Sequence, residues 1–225
     1  MTFVDHLLVS VSDPGRARER WSRAGLTATV GGEHPGGTSN SLVRGPRAAF
    51  VELITAAPDA TSEAGRRVLE TSGPFSWALR VTDMEKVRAA VVAAGFDAGD
   101  IHDGSRTTPA GDVIRWRICD LAPIPLHPYI PFLIEWETPM PAGPADGPVL
   151  VAVTLECPDP QGLGALLAHA GLPPAEGGAH VFDDGDVVVT LAPGDGGVRV
   201  AELAVPDGPQ PDIELDGLLV RRVAR

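Results

Sequence analysis

The chain has 225 residues, 44% of them hydrophobic and 21% charged, which is typical of a folded globular protein with one or two domains. Its formal net charge of −12 excludes a nucleic-acid backbone as a partner, because phosphate contacts need clustered cations. No apolar run approaches the roughly 18 residues of a membrane span, and no signal peptide precedes the first strand, so we expect a cytoplasmic protein without a membrane partner.

One strand–helix pattern occurs three times, over residues 9–26, 79–96 and 155–172. Each copy has apolar strand residues, an Asp, a helical stretch, and then Ala-Gly followed by an apolar residue. The steps between the Asp residues are 83 − 13 = 70 and 159 − 83 = 76 positions. A repeat that long indicates duplication of a whole folding module rather than a solenoid turn.

The predicted elements within each module follow the same order. A strand over 3–11 leads to a helix that Asp13 caps and Gly25 ends, and Asp83 with Gly95 and Asp159 with Gly171 repeat the arrangement. Short apolar runs split by Gly, Asp and Pro then predict strands at 41–43, 48–54, 113–118 and 132–136, and residues 66–71 predict a short connecting helix. Each module is therefore predicted to be βαβββ.

The domain organisation follows from a break in composition. Residues 138–148 are rich in Pro, Gly and Ala and predict a linker. It separates a domain of residues 1–140, with modules at about 3–57 and 74–137, from a third βαβββ-like module at 149–225. In that third module we expect strands near 149–156, 180–182, 187–191, 198–205 and 218–223.

Strand alternation sorts the side chains of the paired modules into two faces. In the first strand we expect Phe3, Asp5 and Leu7 to face the helix, and Val4 and His6 to face away from it. Equivalent positions away from the helices are then assigned to His6, Glu52, Ser76 and Glu135.

Five segments carry a resemblance to a known family: DHLLVSVSD, GGEHPGGTSN, FVELI, GDVIRWRI and PFLIEW. In this order and spacing they resemble the vicinal oxygen chelate superfamily, which includes glyoxalase I, extradiol dioxygenases and bleomycin-resistance proteins. Within it, the chain is most similar to glyoxalase-like domain proteins. The resemblance implies an α+β fold in which paired βαβββ modules form a cupped mixed sheet, with a third partial module that is structural or shapes the cup.

The resemblance also implies a metal site in the cup. It assigns His6, Glu52 and Glu135 as ligands, and it leaves Ser76 where the family has a second histidine. One imidazole and two carboxylates suit Mn, Fe, Co, Ni or Zn. Glu135, which lacks a histidine partner in its own module, is then the expected catalytic base. Alternatively, the two carboxylates bind protein or ligand groups and no metal is held.

Six further residues are expected to bind substrate: Ser76, His34, Asn40, Arg80, Arg115 and Arg117. His34 and Asn40 lie in a glycine-rich turn that permits close backbone approach, and the arginines are candidates to pair with Glu52, Glu135 or an anionic substrate. No phosphate-binding glycine motif occurs, so we expect no nucleotide cofactor. The family also builds cups across dimers, which leaves a homodimer open.

Three functions stay open at this point. The first is a metal-dependent lyase, isomerase or dioxygenase acting on a small oxygenated metabolite. The second is a metal-free binding or drug-sequestering protein of the bleomycin-resistance type, and the third is an enzyme that uses the cup without metal. One scaffold hosts many chemistries, so the fold alone does not separate them.

Overall fold

The computed structural model describes residues 1–176, 178 and 180–225. The first βαβββ module consists of β1 (Thr2–Ser10), α1 (Pro14–Arg23), β2 (Ala28–Glu33), β3 (Thr38–Val43) and β4 (Phe50–Ala56). Helix α2 (Glu63–Leu69) leads to the second module, which consists of β5 (Gly73–Val81), α3 (Met84–Ala93), β6 (Ile101–Thr107), β7 (Val113–Asp120) and β8 (Phe132–Trp136). The paired modules predicted from the repeat are confirmed.

The predicted helix starts are confirmed by their caps. The Asp13 carboxylate accepts a hydrogen bond from Arg16 N, and the Asp83 carboxylate accepts one from Lys86 N. At the other end of these two helices Gly25 and Gly95 adopt φ values of 77° and 86°, which a residue with a Cβ adopts only with strain.

The eight strands of the two modules form one closed barrel, in the order β1-β4-β3-β2-β6-β7-β8-β5. Strand β1 pairs in parallel with β4 and antiparallel with β5, and β5 pairs in parallel with β8. On the far side, β2 and β6 close the barrel through the pair Glu33↔Thr107. The expected cup is thus the interior of a closed barrel. Each module contributes four strands, and its first strand pairs in parallel with its last.

The barrel wall separates two apolar clusters. The outer cluster lies between the barrel, its helices and a second sheet, and it includes the fully buried Trp21, Trp77 and Leu7. The inner cluster is smaller and includes Leu8 and Ile134. Burial of large side chains in the outer cluster is the main source of stability, at about 1.5–3 kcal/mol for each large apolar side chain.

A bulge in β1 changes the predicted alternation of its side chains. The pairing with β5 shifts register between Val4 and His6, so Asp5 is the extra residue. Val4 consequently lies in the outer cluster with Leu7, and the Asp5 side chain turns to His6. The expectation that Asp5 faces the helix and Val4 faces the cup is therefore wrong.

A second sheet follows the barrel. It contains β9 (Val149–Cys157), β10 (Val181–Asp183), β11 (Val188–Pro193), β12 (Gly197–Val205), β13 (Gln210–Leu215) and β14 (Leu218–Ala224), with α4 (Pro160–His169) after β9. Its order is β10-β11-β9-β12-β14-β13. Strand β13 was not predicted, because its sequence contains Pro and three acidic or amide residues.

The second sheet repeats the barrel's pairing scheme in shortened form. Strands β9 and β12 are antiparallel like β1 and β5, while β11 is parallel to β9 and β14 is parallel to β12. The half that begins at β12 has lost its helix and one strand. Strands β9 to β11 therefore form the partial third module, and strands β12 to β14 form an incomplete fourth module.

Side chains at the turn between β13 and β14 fasten the second sheet to the barrel. Trp21 Nε1 donates to Asp216 Oδ2 over 2.8 Å, and Arg20 forms an ion pair with the same carboxylate. Elsewhere Val4 N donates to Asp184 Oδ2 over 2.7 Å. Among the described residues, no helix combines the length and the apolar character that crossing a membrane requires.

Candidate functional site

The barrel encloses a cavity of about 320 Å³, near the lower end of the range for small-molecule sites. Its walls are largely apolar and aromatic, and include Phe50, Trp116, Phe132 and Trp136. Polar side chains gather at one side, namely His6, His34, Asn40, Glu52 and Arg106. A ligand that fits this space is small and has both a flat apolar part and a polar part.

The centre of the polar side is a hydrogen-bonded pair of neighbours on β1. His6 Nδ1 lies 2.7 Å from Asp5 Oδ1, and Trp136 Nε1 donates to Asp5 Oδ2 over 3.0 Å. Because both Asp5 oxygens have partners, the carboxylate is held against the imidazole and fixes its orientation. The other ring nitrogen, His6 Nε2, lies 3.5 Å from Glu52 Oε2.

Glu52 is buried beside His6 and has its own support. Asn40 Nδ2 donates to Glu52 Oε1 over 3.0 Å, which leaves Oε2 facing the imidazole. The parallel pairing of β1 with β4 aligns Leu8 with Glu52, two residues beyond the pair His6↔Phe50. Side chains of His6 and Glu52 therefore lie on the same inner face of adjacent strands.

The charge state of His6 reflects a balance of opposing effects. Burial lowers the pKa of its imidazole, while the hydrogen bond that Nδ1 donates to Asp5 and the charge of Glu52 raise it, and the net pKa is raised from 6.5. The imidazole of His6 lies between two carboxylates, which favour its protonated form. The imidazole also stacks on Phe50, with ring centroids 4.9 Å apart.

His34 belongs to the same polar side of the cavity but has a different environment from His6. Its Nδ1 is 2.8 Å from Thr38 Oγ1, and its ring packs nearly perpendicular to Trp116, with the ring centroids 5.7 Å apart. Burial lowers the pKa of His34 from 6.5, so its imidazole is neutral at pH 7. The structure therefore brings His34 and Asn40, both expected from the glycine-rich turn, to the same cavity as His6 and Glu52.

Glu135 lies outside this cavity, so the expectation that it shares one site with His6 and Glu52 is wrong. Inward positions on β8 belong to Ile134 and Trp136. Glu135 Oε1 accepts from Met84 N at the start of α3, and Oε2 forms an ion pair with Arg117. The barrel wall separates these atoms from His6.

The three arginines expected in the cup also lie elsewhere. Arg117 is directly opposite Glu135 on the outer face, where it also pairs with Glu85. Arg115 is exposed, and Arg80 lies over the Phe3 ring at 5.2 Å in a shallow surface depression. Arg115 and Arg117 were misplaced for one reason: on β7 it is Trp116, between the two arginines, that faces the cavity.

Comparison with known proteins identifies the fold family. The family model described as "Glyoxalase-like domain" matches residues 4–171. The chain belongs to the glyoxalase-like domain family. The resemblance to the vicinal oxygen chelate superfamily is thereby confirmed. A search of curated proteins finds no match to the sequence.

Solved structures extend the likeness of this glyoxalase-like protein to the second sheet. A hypothetical protein from Staphylococcus aureus is 15% identical, covers 100% of both chains and has a TM-score of 0.79. A mutant 4-hydroxymandelate synthase from Streptomyces coelicolor is 16% identical, with a TM-score of 0.53 over 92% of this chain and 71% of that one. A xylose isomerase-like TIM barrel/4-hydroxyphenylpyruvate dioxygenase fusion protein is 15% identical, with a TM-score of 0.52 over 91% and 36%. At such identities these matches establish the fold alone.

The internal symmetry of the glyoxalase-like barrel reveals what occupies the other ligand positions. The repeat places Ser76 where the first module has His6, since 76 − 6 = 70, and Ala78 where it has Leu8. Leu8 pairs with Glu52, and Ala78 pairs with Phe132. The counterpart of Glu52 is therefore Phe132, not Glu135.

The residues present do not fit a chelated metal. Ser76 is fully buried and its hydroxyl has no hydrogen-bond partner among the described residues, yet it does not line the cavity. Phe132 supplies no donor atom. Only His6 and Glu52 remain from the expected ligands, and in the described part of the chain no three His, Cys, Asp or Glu residues are grouped to hold an ion. Structural and catalytic sites for such metals generally use three or four protein ligands.

Two residues of the site were missed in the sequence. Asp5 was assigned to the opposite face because alternation does not anticipate a bulge. Arg106 stands in the polar strand β6, and no motif marks it, yet it is buried and lines the cavity. Gly31 is the sequence feature that relates to Arg106. A Cβ at this position would overlap Asn40 and crowd Arg106, so the glycine leaves room for both side chains.

Proposed function

We propose that the glyoxalase-like barrel binds a small, flat organic molecule with its own side chains and without a chelated metal. The observation that carries this proposal is the presence of Phe132 where the second module would supply a carboxylate ligand. Phe132 instead extends an aromatic wall, and its ring packs edge-to-face with the His6 imidazole, with the ring centroids 5.7 Å apart. Aromatic walls favour flat apolar ligands through offset and edge contacts.

The polar side of the cavity supports orientation of the ligand. His6, Glu52 and Asn40 are held by contacts with one another or with Asp5, so they are ordered before a ligand arrives. Such preorganisation lowers the entropy cost of binding. Of the functions open from the sequence, the metal-free binding protein is therefore favoured over the metal-dependent lyase, isomerase or dioxygenase.

A blocked cavity provides the test. Ala64 lies on α2, is exposed and lines the cavity mouth, so Ala64→Phe reduces the space without disturbing the core. Ala89 is exposed on α3 and is absent from the cavity lining, so Ala89→Phe is the matched control. Binding of a panel of small aromatic compounds is measured by ligand-observed NMR in the presence of EDTA.

We expect hits with the wild type and with Ala89→Phe, and loss of those hits with Ala64→Phe. If compounds bind only after a divalent metal is added, the proposal is wrong and the metal-dependent reading returns. If hits survive Ala64→Phe unchanged, the barrel interior is not the site.

A second candidate function is proton transfer to or from the bound ligand. The specific observation is the pair formed by Asp5 and His6, whose free nitrogen faces Glu52 at 3.5 Å. A buried imidazole oriented by a carboxylate is suited to act as general acid or base. Exchange of ligand C–H for deuterium in heavy water, abolished in His6→Gln, would support this role, and an equal rate in His6→Gln would remove it.

A further inference from the structure

Arg106 carries a buried charge to which the proposed function assigns no role. Its side chain lies on β6 beside the polar cluster, lines the cavity and is 4% exposed. Burial lowers the pKa of Arg106 from 12.5, while the charge of Glu52 opposes that effect. A guanidinium nevertheless stays charged in proteins, so a positive charge borders the cavity.

The contacts of Arg106 are with neutral groups. Nη1 donates to Asn40 Oδ1 over 3.3 Å and Nη2 contacts Met140 Sδ over 3.3 Å, while Nε has no partner among the described residues. Within the described part of the chain no carboxylate lies within ion-pair distance of its nitrogens. Burying a cation without a direct anionic partner is costly, so an incoming anion would gain a strong interaction.

The nearest carboxylates are engaged by other groups. Glu52 Oε1 accepts from Asn40, and its Oε2 faces His6. Asp5 is held by His6 and Trp136. Asp103 also lines the cavity, but it is exposed. Arg106 is thus the buried group in the cavity with donors to spare.

Resting on the proposed function, we infer that Arg106 anchors the carboxylate of an aromatic monocarboxylic acid whose ring lies between the aromatic walls of the cavity. A carboxylate matches the planar fork of a guanidinium and carries a single charge. A phosphate dianion would bring a second negative charge close to Glu52, and a single arginine would not compensate it. The cavity of about 320 Å³ has room for one or two fused rings.

The test compares acids with their uncharged amides. Three pairs cover the size range: benzoate and benzamide, phenylacetate and phenylacetamide, and 2-naphthoate and 2-naphthamide. Binding to the full chain in EDTA is followed by tryptophan fluorescence, because Trp116 and Trp136 line the cavity. Variants are Arg106→Met, Arg106→Lys and, as a control, Arg115→Met, since Arg115 is an exposed arginine on the adjacent strand.

We expect at least one acid to bind the wild type about tenfold or more tightly than its amide. Arg106→Met should bring the acid to the affinity of the amide, Arg106→Lys should keep part of the difference, and Arg115→Met should keep all of it. If Arg106→Met does not fold, the test is the ratio of acid affinity to amide affinity, which should be smaller in Arg106→Lys than in the wild type.

Three results overturn the inference, and they differ in what else they remove. Equal binding of acid and amide to the wild type removes the role of Arg106 and leaves the metal-free cavity standing. Binding of neither compound in any pair at millimolar concentration removes both the role of Arg106 and the proposed aromatic ligand. An acid preference that persists in Arg106→Met would assign the anion to another group.

Discussion

Asp5 and His6 are consecutive residues, yet their side chains form a hydrogen bond of 2.7 Å inside the barrel. In a regular strand they would point to opposite faces. The bulge in β1 turns the Asp5 carboxylate inward, where Trp136 holds its second oxygen. Because of this one extra residue, the Asp5 carboxylate orients the His6 imidazole and raises its pKa.

Asp5→Asn should lower the pKa of His6, because the hydrogen bond and charge of Asp5 both raise it. The measurement is an NMR titration of the His6 ring protons. Glu135→Gln is the control, since Glu135 lies outside the barrel and should leave the titration unchanged. An unaltered His6 titration in Asp5→Asn would mean that the two side chains do not interact in solution.

The stability difference between wild type and His6→Gln should depend on pH. Since the pKa of His6 is raised on folding from 6.5, the stabilisation by its proton is fully present below about pH 6.5 and is lost as the pH rises through the folded pKa. Urea unfolding of both proteins over a pH series measures the difference. If the difference in unfolding free energy between wild type and His6→Gln grew with rising pH, the pKa of His6 would be lowered on folding and not raised.

His34 should behave in the opposite sense to His6. Burial lowers its pKa from 6.5, so the stability that neutral His34 contributes is present above about pH 6.5 and is lost as the pH falls through the folded pKa. The same unfolding series with His34→Gln tests this prediction. Parallel pH profiles for the two histidine variants would contradict the environments described here.

Gly31→Ala should disrupt the polar side of the cavity. A Cβ at this position would overlap Asn40 Oδ1 and approach Arg106 Nη1 to 2.8 Å, so the two side chains must move. We expect a loss of about 1–3 kcal/mol in the free energy of unfolding, by overpacking. Gly99→Ala is the control, because its Cβ would meet only Asp120 O at 3.5 Å. Equal stability of the two variants would contradict the tight packing.

Asp216→Ala should loosen the second sheet from the barrel. The change removes the acceptor of the Trp21 indole and leaves that buried N–H without its partner, at a cost of about 1–3 kcal/mol. Asp216→Asn is the matched variant, since Asn tolerates the positive φ of 48° and keeps an acceptor oxygen. In chemical denaturation the midpoints of wild type and Asp216→Asn should both be higher than that of Asp216→Ala. An unchanged midpoint for Asp216→Ala would argue against the contact between Trp21 and Asp216.

Much of the fold could be predicted because it depends on local signals. Asp13 and Asp83 cap helices through contacts three residues away, and the 70-residue repeat of the first strands fixes the order of the modules. The loop before β8 has no such signal. It has eleven residues (121–131), against six (44–49) in the loop between β3 and β4, so the 70-residue repeat does not align β8 with β4, and the local likeness of FLIEW to FVELI pointed to Glu135 instead of Phe132.

The site was predictable only in part, for reasons of geometry. His6, Glu52 and Asn40 lie on strands whose pairing follows from the repeat, His34 lies in the turn between β2 and β3, and all four line the cavity. Asp5 depends on a bulge, which alternation cannot reveal. Arg106 is inward because β2 and β6 close the barrel, a contact between distant segments that leaves no local pattern.

Whether the barrel works without a chelated metal is best tested by metal analysis of protein purified without chelator. We expect far less than one equivalent of Mn, Fe, Co, Ni or Zn in the wild type, because only His6 and Glu52 supply donor atoms from the expected set. About one tightly held equivalent that disappears in His6→Ala would contradict it, since the barrel would then hold a metal without the missing ligands.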